Sequence, residues 1–233
     1  MPTLSYLERR GELETYFDRT AVEAWKRLTS DAPLGRIRAT VREGREQMRR
    51  TLLSWLPADL TGKRLLDAGC GTGALAVEAA RRGATVLAID LSPTLIELAR
   101  DRAAKDLGNS QVEFRVGDML LPGLGRFDHI VAMDSLIHYR APDMVKVLSY
   151  LAPRSANGIV FTFAPRTPAL ALMHLIGRAF PRKDRAPSIE PVAAASLSAA
   201  ISAEPALAAW RLGRTHRVVN GFYLSQGVEL LPR

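Results

Sequence analysis

The chain has 233 residues, 47% of them apolar, and its 32 basic against 24 acidic side chains give a formal charge of +8. This is the size and composition of one globular α/β domain with an appendage. No stretch approaches the ~20 apolar residues of a membrane span, residues 1–5 run into charged sequence with no apolar signal core, and the single cysteine, Cys70, excludes an internal disulfide and a cysteine-built metal site. A cytosolic or peripheral protein is expected.

Taken in order, Leu13, Phe17, Ala21, Ala24, Trp25 and Leu28 recur at helical spacing until residues 29–33, Thr-Ser-Asp-Ala-Pro, interrupt them. A second helix carries Ile37, Val41, Met48, Leu52 and Trp55 on its apolar face and Arg38, Arg42, Arg45 and Arg49 on another, and it stops at Leu56-Pro57. A stripe of that kind reads first as a solvated face. From Lys63 onward strand and helix alternate: strands near 64–67, 85–89, 112–116, 127–133 and 158–163, helices near 74–82, 93–106 and 142–152. Alternation of this kind predicts a parallel sheet covered on both faces, with ligands at the carboxyl ends of its strands. The remainder predicts an apolar helix over 168–180, a basic Pro-rich loop over 181–191, a weak helix over 192–201, and strands near 207–213 and 219–230 that form an antiparallel hairpin.

The most specific signal is Leu-Leu-Asp-Ala-Gly-Cys-Gly-Thr-Gly over 65–73, an apolar strand ending on Asp67 and breaking into a turn with Gly69, Gly71 and Gly73. Alternate glycines allow positive φ and let a ligand lie on the main chain at a helix N-terminus. Gly69, Gly71 and Ala74 also satisfy the dinucleotide fingerprint, which by itself discriminates weakly. Asp67 breaks the tie, because a carboxylate there crowds a pyrophosphate but accepts hydrogen bonds from an ammonium. Asp90, ending the second strand, is placed for two ribose hydroxyls, and Asp118 follows the third strand, where a methyltransferase, which this pattern resembles, typically reads the adenine amino group. Three acids at three successive strand ends resemble a class I S-adenosylmethionine-dependent methyltransferase: a Rossmann-like, doubly wound, mostly parallel sheet with its last strand antiparallel.

After the fourth strand comes Met133-Asp134-Ser135-Leu136-Ile137-His138-Tyr139, which should face the methyl group. It lacks the Asn/Asp-Pro-Pro-aromatic turn of enzymes that methylate base amines, so no nucleic-acid partner is expected. His138 can bind or deprotonate an acceptor, since imidazole titrates near neutrality. His174, in an apolar helix, and His129, inside a strand, read as structural. Charge is uneven: over 166–217, Arg166, Arg178, Arg182, Lys183, Arg185, Arg211, Arg214 and Arg217 face only Asp184, Glu190 and Glu204. Such a field attracts an anionic substrate or surface.

The spaced pattern Tyr16-Phe17, Trp25, Arg42 with Gly44, the glycine turn, Leu136-Ile137-His138-Tyr139, Phe163-Ala164-Pro165 and Phe222-Tyr223 resembles the magnesium-protoporphyrin IX O-methyltransferases of chlorophyll and bacteriochlorophyll synthesis. The likeness runs from about residue 12 to 230. It implies methyl transfer from S-adenosylmethionine to one propionate of magnesium-protoporphyrin IX, the magnesium arriving with the substrate. It implies a cofactor set of Asp67, Gly69, Cys70, Gly71, Gly73, Asp90, Leu91, Asp118, Met119 and Asp134. The acceptor set is Tyr16, Thr29, Tyr139, Arg166 and His174, with His138 catalytic; Thr29 stands where relatives generally have tyrosine, so no role of that phenol carries over. It also implies residues 1–60 as a helical lid on a cofactor domain over 61–233, with 166–205 a substrate-facing insertion, and leaves room for magnesium chelatase subunits and a membrane surface as contacts. Two alternatives stay open: a methyltransferase of another small molecule, a quinone or phenol, and a non-catalytic cofactor-binding assembly subunit.

Overall fold

The computed structural model describes residues 2–20, 36–107, 112–166 and 189–233. Seven strands, β1 (Arg64–Ala68), β2 (Thr85–Asp90), β3 (Val112–Val116), β4 (Phe127–Ala132), β5 (Ser155–Phe163), β6 (Trp210–Asn220) and β7 (Tyr223–Pro232), form one sheet in the order β3-β2-β1-β4-β5-β7-β6. The first five are parallel, and β7 runs antiparallel to both β5 and β6. This is the expected doubly wound class. The strand order reverses at β1 and β4, so the crevice beyond their carboxyl ends is where such a sheet binds its ligand.

Strand period decides which residue faces which layer. Leu66, Leu87, Ile89, Ile130 and Phe161 point to the side covered by α1 (Leu4–Thr15), α5 (Ala141–Leu151) and α6 (Ala194–Ala203). Leu65, Val86, Ala88, Val131 and Val160 point to the other, covered by α2 (Arg36–Ser54), α3 (Ala74–Arg81) and α4 (Pro93–Leu107). Met48 and Leu52 of α2 are fully buried in that second layer, so the helix belongs to the same core as the sheet. Among the described residues no helix is long and apolar enough to cross a membrane.

Two boundaries depart from the sequence expectation. Helical structure begins at Leu4, well before Leu13, because the Thr3 hydroxyl accepts from the Tyr6 amide as an N-cap, and Tyr6 and Leu13, seven residues apart, are the buried positions of α1. Strand β6 does not end at 213 but continues to Asn220. Gly213 lies at a register shift where a side chain would strike Glu229, its Cβ 2.6 Å from Oε2, so the glycine is there to let the two strands stay paired. Asn220 pairs with Tyr223 across the two-residue turn Gly221-Phe222, in which Gly221 has φ +56°, the Gly-first pattern of a type II′ hairpin that sets the true end of β6. The expectations for Trp25, Thr29, the 29–33 break, the 168–180 helix, His174 and most of the 181–191 loop lie outside the described residues.

Candidate functional site

The glycine turn is pinned to the end of β2. Gly69 and Cys70 amides donate to the Ile89 carbonyl at 2.8 and 3.0 Å, and the Gly71 amide donates to Asp90 Oδ2 at 2.8 Å. Gly69 has φ +82°, and a Cβ there would stand 2.3 Å from that of Ser135, so only glycine lets the turn lie against the segment after β4. Cys70 is half-buried, and burial followed by the charges of Asp67 and Asp90 pushes its thiol well up; it is a small neutral residue of the turn. Gly73, at φ +78°, is the N-cap of α3 without a side-chain cap, and a Cβ there would meet the Phe114 ring at 2.7 Å.

The three acids sit in different environments. Asp67 is 2% exposed, and its Oδ2 has no hydrogen-bond partner. Burial, and then the negative Asp90 nearby, push its carboxyl up to about 7. A buried anion of this kind calls for a cation. Asp90 Oδ1 accepts from the Ser92 amide at 3.0 Å, and burial raises its carboxyl against the lowering effect of those backbone donors. Asp118 Oδ1 accepts from the Leu120 amide at 2.8 Å and from the Tyr6 hydroxyl at 2.7 Å, while Oδ2 pairs with Arg10 at 3.3 Å.

Asp90, Leu91, Asp118, Met119, Asp134, Ser135, His138 and Tyr139 share a pocket with Gly69 and Gly71 of the glycine turn. The pocket is only about 80 Å³, because Tyr6, Leu13 and Phe17 close it. Ligand sites of drug size run from roughly 300 Å³ upward. Tyr6 lies stacked on Tyr139 at 4.8 Å, and burial raises both phenols. Arg9 fastens the same helix, donating from Nε to the His138 carbonyl at 2.9 Å and pairing with Glu190 at 2.8 Å. Asp18, just beyond α1, accepts from Thr94 Oγ1 at 2.9 Å beside the start of α4.

His138 is buried in the 3-10 turn Leu136–His138, with the Phe17 ring edge-on at 5.8 Å. Tyr16 packs edge-on against Phe17, one residue from the pocket lining. Arg166 is exposed, its amide tied to the Val192 carbonyl at 2.9 Å, and it does not line this pocket. His129 is buried within β4, and burial lowers its imidazole, as suits a structural histidine.

Asp134 lines the same pocket, but its carboxylate is already engaged by protein groups. Its backbone is left-handed, φ +53°, and its side chain, 4% exposed, is surrounded by protein donors. Arg45 pairs with Oδ2 at 2.8 Å, and the Tyr223, Ser225 and Thr162 hydroxyls approach Oδ1 at 3.0, 3.3 and 3.3 Å. Sequence reasoning missed this junction of α2, β7 and the segment after β4, although it had one signal. Gly44, inside a helix, costs about 1 kcal/mol relative to alanine, and the structure gives the reason: a Cβ there would meet the Tyr223 ring at 2.5 Å.

On the other side of the turn lies a second cleft, about 540 Å³, floored by Asp67, Gly69, Cys70 and Thr72. Arg42, Arg45 and Arg49 of α2 line it, so most of the arginine stripe faces a cleft rather than forming the solvated face expected. Gly69, Arg45 and Met133 border both spaces. The residues thus fit a cofactor with a nucleoside at one end and an α-amino acid at the other: the acids at the ends of β2 and β3 for the nucleoside, the unpartnered Asp67 oxygen for an ammonium.

Comparison with known proteins agrees with that geometry. Residues 65–155 match the model of the methyltransferase domain, and residues 132–232 match that of the magnesium-protoporphyrin IX methyltransferase C-terminus. The magnesium-protoporphyrin O-methyltransferase of Rhodobacter capsulatus is 49% identical over 100% of both chains. Its counterpart in Synechocystis is 31% identical over 77% of this chain and 79% of that one. The crystal structure of magnesium protoporphyrin IX methyltransferase from Synechocystis PCC 6803 with bound SAH superposes with a TM-score of 0.84, at 26% identity, covering 96% of this chain and 100% of that one.

Proposed function

Because the chain belongs to the magnesium-protoporphyrin O-methyltransferase family, we infer that it transfers a methyl group from S-adenosylmethionine to one propionate carboxylate of magnesium-protoporphyrin IX, giving the monomethyl ester and S-adenosylhomocysteine. The observation that carries this reading is the likeness over the whole length of the chain, N-terminal helices included. S-adenosylmethionine supplies an activated methyl on a sulfonium. The chain's own residues bind and align: Asp67 takes the ammonium, Asp90 the ribose, Asp118 the adenine, and the glycine turn lets the main chain approach.

A propionate has a pKa near ~4.5, by analogy with glutamate, so it is ionised at neutral pH and needs no obligatory base. An O–C bond forms as the C–S bond breaks, the electron pair stays on sulfur, and no proton moves. Holding the reacting atoms in line is then the main task, an effect that can supply up to ~7–11 kcal/mol. His138, on a turn anchored by Arg9 through its carbonyl, orients the reacting carboxylate. Of the 1–60 lid that the resemblance implied, residues 4–17 take that part, supported by the way Tyr6, Leu13 and Phe17 close the nucleoside pocket, whereas α2 belongs to the core of the sheet. The same proposal includes peripheral contact with an anionic membrane, which the +8 charge favours, and supply of the substrate by magnesium chelatase subunits, which follows from an acceptor that already carries its metal.

Incubation with labelled S-adenosylmethionine and a panel of magnesium porphyrin, metal-free porphyrin, quinone and tRNA tests the reading. Label should pass to the magnesium porphyrin as an alkali-labile ester. Transfer to the quinone alone, or none at all, overturns it.

A further inference from the structure

We propose that the Ser135 hydroxyl is a second acceptor-binding group of the methyl-transfer site: it donates to the carboxylate oxygen that becomes the ester carbonyl, the same oxygen that His138 holds. The proposal deepens the function inferred above and rests on it.

Ser135 Oγ is buried and has no hydrogen-bond partner among the described residues. Serine at the start of a helical turn ordinarily caps it, and Ser135 is the N-cap of the turn Leu136–His138, yet its side chain makes no capping bond. A buried hydroxyl left unpaired costs stability, so a site that keeps one has a partner for it that arrives with a ligand. Other orphaned atoms have different explanations. Asp67 Oδ2 is matched to the cofactor's ammonium, and Arg10 Nε belongs to a guanidinium already paired with Asp118 at 3.3 Å.

Position selects the ligand. A Cβ on Gly69 would lie 2.3 Å from Ser135 Cβ and 3.1 Å from its Oγ, so the hydroxyl stands directly against the glycine turn. Gly69 borders both the nucleoside pocket and the cleft floored by Asp67. The sulfonium joins the cofactor's nucleoside to its amino-acid end, and it therefore lies where those two spaces meet. Ser135 lines the nucleoside pocket with Phe17 and His138 but does not line the cleft, which places it away from the cofactor's amino-acid end. The nucleoside's polar groups already have Asp90 and Asp118. The group left to meet Ser135 beside the sulfonium is the acceptor.

Register brings in His138. In a 3-10 turn, side chains three residues apart eclipse with a rise of roughly 6 Å, so Ser135 and His138 project to one side. An oxygen between them is about 3 Å from each, within hydrogen-bond range of both. The reaction decides which oxygen that is. The attacking oxygen loses negative charge as its bond to the methyl carbon forms, and a donor on it would hold back its lone pair. A donor on the other oxygen fixes the carboxylate without blunting the nucleophile, and that oxygen remains an acceptor in the ester.

The test is steady-state kinetics of the full chain on magnesium-protoporphyrin with saturating S-adenosylmethionine, beside cofactor affinity by calorimetry and a thermal melt. Ser135→Ala should lower kcat/KM for the porphyrin about tenfold, the usual effect of one hydrogen bond to a charged group. Cofactor affinity should stay within twofold, and the melting midpoint should equal or exceed the wild type's, since alanine removes an unpaired buried hydroxyl. Ser135→Cys, similar in size but a weaker donor, should fall between the two. In the double variant Ser135→Ala, His138→Ala the combined loss should be smaller than the product of the single losses, because both groups hold one oxygen. Unchanged kcat/KM in Ser135→Ala overturns the proposal. Weakened cofactor binding with acceptor kinetics intact assigns the hydroxyl to S-adenosylmethionine and overturns it too, as does a lowered melting midpoint, which gives the hydroxyl a partner inside the ligand-free protein. Losses that multiply in full put the two groups on different partners and overturn the shared oxygen. A wild type that methylates no magnesium porphyrin removes the proposed function itself, whatever Ser135 does.

Discussion

Arg45 on α2 pairs with Asp134 at 2.8 Å, and through that contact the helix is joined to the turn leading from β4 to His138. The same carboxylate receives the Tyr223 hydroxyl from β7, and its residue is held at φ +53°. Asp134 is thus a positioning residue, with its oxygens occupied by protein donors and its strained backbone setting where Ser135 and His138 stand.

Asp134→Asn keeps the tolerance for left-handed backbone but loses the charge, leaving Arg45 with a weaker partner in a half-buried site. We expect a loss of roughly 1–3 kcal/mol in urea unfolding. On magnesium-protoporphyrin, kcat should fall tenfold or more with cofactor affinity within threefold. Asp134→Ala should be worse on both counts, since alanine resists positive φ. A variant with normal kcat would show that the junction is merely structural.

The pH dependence of cofactor binding follows from Asp67. With its carboxyl pushed up to about 7 in the free protein, the group is protonated below that pH and must lose the proton to receive an ammonium. Cofactor affinity should therefore rise with pH up to about 7 and then level off, with proton release detectable as a buffer-dependent calorimetric enthalpy. The sign for stability is opposite to that of a paired acid. A raised carboxyl helps the fold at low pH and stops helping as pH climbs through 7. Asp67→Asn should thus stabilise the ligand-free protein at pH 8, while abolishing the pH dependence of binding. Binding by the wild type that stays flat from pH 5 to 8 would contradict this account.

For the glycine turn, Gly69→Ala is the informative change, because its Cβ must displace Ser135 and adopt positive φ at once. Asp90→Ala should act by a second route as well as through the ribose, since it also frees the Gly71 amide that Asp90 holds at 2.8 Å. Each should weaken S-adenosylmethionine at least tenfold by calorimetry in a protein that still melts cooperatively.

His138 separates orientation from base catalysis. Substitution by alanine should slow turnover about ten- to a hundredfold and leave a residual rate that changes little between pH 6 and 9, because a carboxylate is already ionised. Rescue by added imidazole or by alkali would identify an obligatory base instead. The measurement is a pH-rate profile with saturating cofactor.

Closure of the nucleoside pocket by α1 makes a kinetic prediction. Tyr6→Phe removes the hydroxyl that donates to Asp118 at 2.7 Å and should speed cofactor association in stopped-flow, as the helix is then held over the pocket less firmly. Amide exchange over residues 4–15 should slow when S-adenosylhomocysteine binds. Unchanged exchange would remove α1 from the lid.

The local signals in this chain are strong where one residue type answers one backbone need. Three glycines in a turn, an acid at each of three strand ends, and apolar runs of period two are readable without a structure, because they are set by φ, by strand ends and by alternation. They located the sheet, the turn, Asp67, Asp90 and Asp118. Helix capping by Thr3 and the Gly221-Phe222 turn are equally local signals. What no local rule contains is which surfaces meet. Asp134 looked like one more acid facing the cofactor, and only the docking of α2 and β7 shows that Arg45 and Tyr223 occupy it. The arginine stripe looked solvated because helical spacing tells which residues share a face, not what that face opposes. Tyr6 lies more than a hundred residues from Asp118 in sequence, and its place over that carboxylate depends on long-range packing that the order of residues along the chain does not display.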